Sequence, residues 1–204
     1  MEDMKVLKLF GLAIAAMALT AFLGAGSASA TELYSTGVTL KTPATLELTL
    51  KSTTSLLMKD TGGSTNDTCT SSTIEGATTN TGGSGVAITA SVSTLVLGGC
   101  THTTDALKNA DGSFGRLELK WSSGTKATLI SKESRLTIQS TVFGISCTPN
   151  TGAGTTLGSI ETAAGTNAVI NVNAVINLGA FCGDSTWTGT YTVTKPHQLL
   201  IEDK

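Results

Sequence analysis

The sequence predicts an all-β protein: an antiparallel β-sandwich stapled by two disulfides and preceded by a cleaved signal peptide. Three observations carry that expectation. Apolar residues alternate with polar ones in short runs separated by glycine-rich turns. Four cysteines stand at 69, 100, 147 and 182. The first thirty residues form a cationic, then apolar, then small-residue leader.

The leader comes first in the chain. Lys5 and Lys8 supply positive charge, Leu9 to Gly26 is an apolar run, and Ser27-Ala28-Ser29-Ala30 places small side chains where a signal peptidase reads them. Cleavage is expected between Ala30 and Thr31, leaving residues 31–204 as one domain. The A-x-A ending, with no cationic stop-transfer flank, favours a cleaved signal over a membrane anchor. With the leader gone, no stable membrane span is expected.

The strand pattern begins at Thr45. Leu46, Leu48 and Leu50 share one face of Thr-Leu-Glu-Leu-Thr-Leu, with Glu47 and Thr49 opposite; period two over six residues is a half-buried strand. Val86, Ile88, Ala90 and Val92 repeat it, as do Leu117, Leu119 and Trp121. Leu136 and Ile138 follow, then Val142 to Cys147, a β-branched run over Val169 to Leu178, and a last alternation through Trp187, Gly189, Tyr191 and Val193. Thr81-Gly-Gly-Ser-Gly, Ser123-Gly-Thr and Thr151-Gly-Ala-Gly, among others, separate the runs. Glycine accepts positive φ there, and Ser, Thr and Asp bond their own backbone. No segment after the leader has convincing helical periodicity. Many short antiparallel strands form a sandwich or a barrel; a sandwich is expected, since disulfides can pin strands across its two sheets.

An even number of cysteines in an exported chain reads as two disulfides, with three connectivities open. Cys69–Cys100 and Cys147–Cys182 are favoured, because each pair brackets a segment of similar length and pattern. Both segments start Cys-Thr, cross a glycine-rich turn and an apolar strand, and end Leu-Gly-Gly-Cys or Leu-Gly-Ala-Phe-Cys. Internal duplication, or two hairpins made from the same residue types, would each produce this echo. No C-x-x-C or H-x₃-H spacing exists and His102 and His197 stand far apart, so no metal site is expected.

Charge narrows the function. The formal net charge is −2 with 14% charged residues, which builds no field for a phosphate backbone and excludes nucleic acid as the expected partner. Catalytic signatures fail on context. Gly183-Asp184-Ser185 resembles the nucleophile block of a secreted esterase family, but it sits near the end of a β-patterned chain with no Asp-x-x-His after it. Ser123-Gly-Thr-Lys126 matches S-x-x-K, whose chemistry needs a helix start; here it links two strand patterns. No catalytic residue and no cofactor are expected. The candidate ligand-binding residues are Trp121 and Trp187, whose rings would stack on sugars if exposed. Both lie on the apolar phase of their strands, where core packing is the usual role.

In its leader ending, Cys69-Thr-Ser-Ser-Thr-Ile-Glu-Gly76, Gly98-Gly-Cys100, Phe143-Gly-Ile-Ser-Cys147 and Trp187-Thr-Gly-Thr-Tyr-Thr-Val193, the chain resembles a loose group of short exported, mostly uncharacterised bacterial β-proteins. A more distant likeness, in cysteine-and-strand style, is to small exported activators of alkane oxidation. The resemblance implies a fold and disulfides, and no catalytic residue. The expectation is therefore a non-enzymatic structural or interaction protein, secreted, periplasmic or at the cell surface. Its candidate partners are itself, envelope components or glycans. A glycan-binding module is the alternative reading, and an exported hydrolase stands third.

Overall fold

The computed structural model describes residues 30–60, 65–107, 112–134, 137–140, 146–148, 150, 151–179 and 182–203. The expected signal peptide lies outside them apart from Ala30, as does most of Val142 to Cys147. Among the described residues the chain is all strand and turn, with no helix. The strands are β1 (Ala30–Ser35), β2 (Val38–Thr39), β3 (Thr45–Leu50), β4 (Leu56–Asp60), β5 (Thr65–Cys69) and β6 (Ser71–Thr78). They continue as β7 (Gly83–Ser84), β8 (Ile88–Gly98), β9 (Thr103–Leu107), β10 (Arg116–Ser123), β11 (Lys126–Lys132) and β12 (Thr137–Ser140). The last are β13 (Ser146–Cys147), β14 (Thr155–Glu161), β15 (Val169–Asn177), β16 (Asp184–Lys195) and β17 (Leu199–Asp203).

The sandwich expectation is corrected to a barrel. β3, β6, β8, β10, β11, β14, β15 and β16 pair antiparallel in that order, and β16 pairs back onto β3, closing eight strands into one sheet. Spatial order follows chain order, an up-and-down barrel whose hydrogen-bond ladder has no free edge. β16 makes closure possible. Asp184 to Thr192 pair with β15 on one side; on the other, Tyr191 to Lys195 pair with β3 while Ser185 to Thr188 pair with β4. β4 and β5 thus form a hairpin that branches from the barrel wall. Gly189 sits between those two partners, and a Cβ there would come within 3.3 Å of Leu56 and 3.4 Å of Leu50. Its missing side chain makes room at the seam. Register shifts between Glu75 and Gly76 and between Leu129 and Ile130 add the local twist that curls the sheet.

One end of the barrel is plugged. β1 and β17 pair along Thr31 to Ser35, and Leu33, Leu199 and Ile201 are buried in the same core as Leu46, Leu119, Ile160 and Val193. The Trp121 backbone N–H donates to Thr31 Oγ1 (3.1 Å) and that of Ile201 to Thr162 Oγ1 (3.2 Å), fastening plug to barrel. Burial of each such Leu or Ile side chain contributes roughly 1.5–3 kcal/mol.

The opposite end holds both disulfides. Cys69–Cys100 closes the open end of the β6–β8 hairpin, and Cys147–Cys182 that of the β14–β15 hairpin. These are the favoured pairs, but each ties neighbours at one rim rather than joining two sheets. A small sheet, ordered β13–β12–β9, is inserted at this rim, and Cys147 of β13 anchors it to the β15–β16 turn. Asp67 Oδ1 accepts from Thr68 N (2.8 Å), Thr101 Oγ1 (2.8 Å) and His102 N (3.0 Å), holding the chain that follows Cys100.

Candidate functional site

The inside of the barrel differs from plug end to rim end. In the plugged half, Leu46, Leu48, Leu119, Leu129, Ile170 and Val193 meet across the lumen and leave only about 20 Å³. Towards the rim the facing positions include Ser72, Ser131, Ala174 and Ser185. Smaller side chains there leave a cavity of about 110 Å³.

Its wall is drawn from nearly every barrel strand. Ile74, Leu95, Leu97, Leu117, Leu157 and Val172 line it. They pack against the core yet remain only half-buried. Inward-facing aliphatic side chains keep that exposure because the space they face is empty. Phe114, Trp187 and Tyr191 add three aromatic rings. Among the described residues, no charged side chain lines the cavity.

Three of the polar side chains around it are engaged with neighbouring groups. The Tyr191 hydroxyl donates to Ser72 Oγ at 3.1 Å, with both residues buried. Burial pushes the Tyr191 phenol above its ordinary pKa, and the hydrogen bond to Ser72 offsets part of that rise. Ser131 Oγ donates to Thr151 Oγ1 (3.3 Å), which also accepts from the Ser134 backbone N–H (3.0 Å). Trp187 has no such contact. It is 9% exposed, and its Nε1 is buried with no hydrogen-bond partner among the described residues.

The two tryptophans singled out in the sequence are not brought together. Trp187 lies inside the rim half of the lumen, paired between Ala174 and Met58. Trp121 is half-buried near the plug, its Nε1 donating to Gly124 O (2.8 Å), beside an open groove with Glu118, Lys120 and Ser122. They form no common platform. The motif hydroxyls are also accounted for: Ser185 is 1% exposed and donates to Lys59 O (3.0 Å), while Ser123 to Lys126 is the β10–β11 turn. His102 follows Cys100 at the rim, and His197 lies in the β16–β17 turn at the plugged end.

Sequence reasoning missed Tyr191 as a site residue and most of the aliphatic wall. Every one of these residues carries only a core signal in the sequence. Asp67 lies near Cys69 and Cys100, but both sulfurs are committed to their disulfide and cannot ligate a metal. No known protein family, curated protein or solved structure matches the chain.

Proposed function

We propose that this chain is an exported, non-enzymatic binding protein whose barrel lumen holds a small molecule. The observation that carries the reading is the apolar cavity of about 110 Å³ between the filled half of the barrel and its rim. An eight-stranded barrel is just wide enough either to be filled by its own side chains or to hold one small ligand. Here one half follows the first course and the other half the second. An engineered cavity of about 150 Å³ lined by Leu, Ile and Phe stays dry and takes up benzene.

Export is supported by the leader pattern and by two disulfides, which persist in oxidising compartments. The outward strand positions favour water as the surrounding medium. Asn171, Asn173, Thr186, Thr188, Thr190 and Thr192 share the outward face of β15 and β16 with an exposed Val175. Apolar inside and polar outside is the reverse of the arrangement by which barrels cross membranes.

The test is thermal unfolding of residues 31–204, disulfides intact, with and without toluene. An occupant at ten times its Kd stabilises by about 1.4 kcal/mol, which raises Tm by roughly 3–6 °C in a domain of this size. Val172→Phe, which fills part of the space, should remove the rise. An unchanged Tm in the parent protein, or a rise that survives V172F, would refute lumen binding.

A further inference from the structure

Taking the lumen reading as given, the structure also specifies the chemistry of the occupant. We propose that it is a compact, neutral, apolar molecule of about one six-membered ring, carrying a hydrogen-bond acceptor that receives the Trp187 indole N–H. Three observations converge on this.

The first is size. About 110 Å³ accommodates a single ring or a short chain, and no long acyl chain. The second is charge. Among the described residues no Lys, Arg, Asp, Glu or His lines the cavity, and a carboxylate or ammonium placed against them would lose its hydration with no counter-ion in return. That lining suits ketones, esters and ethers rather than fatty acids or amines.

The third is an unanswered indole donor. Tyr191, Ser131 and Thr151 are engaged with neighbouring groups, as the Ser72, Thr151 and Ser134 contacts show. Trp187 Nε1 is buried without a partner among the described residues. Native interiors rarely leave a buried donor unsatisfied, and such exceptions mark strain or a missing partner. The indole ring lines the cavity itself. An occupant lying against that ring can supply the acceptor that the described residues do not. Ring and donor would then act together: the indole face contributes apolar contact, and its N–H fixes which end of the molecule carries the oxygen.

The test compares cyclohexanone, which has an acceptor, with methylcyclohexane, which is similar in size and has none. Binding of each is measured by headspace partition over wild-type protein and over Trp187→Phe, which keeps an aromatic ring and removes the N–H. Cyclohexanone should bind about 5-fold more weakly to W187F than to wild type, and methylcyclohexane should bind equally to both. In ¹H–¹⁵N spectra of the wild-type protein, the Trp187 indole proton should shift downfield with cyclohexanone and not with methylcyclohexane. That second measurement stands even if W187F folds poorly. Equal cyclohexanone affinity for the two proteins, or an unmoved indole proton at saturation, would overturn the Trp187 assignment and leave the lumen reading intact. Failure of both probes to bind wild-type protein would overturn the lumen reading itself.

Discussion

The hydrogen bond between Tyr191 and Ser72 is the polar link across the seam of the lumen, and its contribution can be isolated. Tyr191 is 3% exposed and Ser72 2%, and their oxygens lie 3.1 Å apart. Tyr191→Phe removes the donor and leaves Ser72 Oγ buried without it; Ser72→Ala removes the acceptor and strands the phenol. A net hydrogen bond is worth about 1 kcal/mol and an unsatisfied buried group costs about 1–3 kcal/mol, so each single change should destabilise by about 2 kcal/mol. Replacing both partners leaves neither group stranded. The double variant should therefore cost no more than about 2 kcal/mol, giving a coupling of about 2 kcal/mol, within the span seen for contacting pairs. Urea denaturation of the four proteins measures it. The sign of the pH effect follows from the same burial. The folded phenol pKa is raised above its unfolded value of 10.0. Its stabilising effect is therefore fully present below pH 10 and is lost as pH rises through the raised folded value. Y191F should show a flatter alkaline limb than wild type. Single costs that add to within about 0.5 kcal/mol, or alkaline limbs that superimpose, would refute the contact.

Two further outcomes follow from the barrel wall. Gly76→Ala would place a Cβ 2.1 Å from the Ser91 carbonyl oxygen, where β6 and β8 shift register. It should destabilise by about 3 kcal/mol through forced separation of backbone, and an unmoved urea midpoint would show that the strands are not so closely paired. Each disulfide closes a loop, with sequence separations of 31 and 35, so Cys69→Ala/Cys100→Ala and Cys147→Ala/Cys182→Ala should each cost about 3.7 kcal/mol on chain-entropy grounds. Denaturation midpoints check this, and a loss well under about 1 kcal/mol for either pair would mean that its hairpin is already held by the barrel ladder.

The all-β class and both disulfide pairs could be read from the sequence; barrel closure could not. A strand with one wet face alternates in the same way in a sandwich and in a barrel. What distinguishes them is register, and here register turns on single-residue shifts at Gly76 and Ile130 and on β16 serving β3 and β4 in succession. Several strands also carry too little apolar signal to be seen. The inward positions of β6 are Ser72, Ile74, Gly76 and Thr78, with one large apolar residue among four. β14 loses its period at the bulge beside Gly158, where a Cβ would meet the Asn171 carbonyl oxygen at 1.9 Å. β1 and β17, which plug the barrel, are short and gain their meaning from each other across the whole chain.

The same cause hides the site. A pocket built on a motif leaves its mark in one stretch of sequence, but this cavity is the difference between two layers of a closed wall. The plugged layer places Leu and Ile at its facing positions; the rim layer places Ser72, Ser131 and Ala174 among its aliphatic residues. Each substitution of a small side chain for a large one is unremarkable within its own strand, and only closure sums them into one space. Trp187 illustrates the point. Its apolar phase identifies it as a core residue, and it is one. Its proposed role lies in the partner its N–H lacks among the described residues, and its place between Ala174 and Met58 is set by two ladders. Under the lumen-binding proposal, function is encoded in missing volume and in a donor unanswered among the described residues, and both become visible only when the eighth strand meets the first.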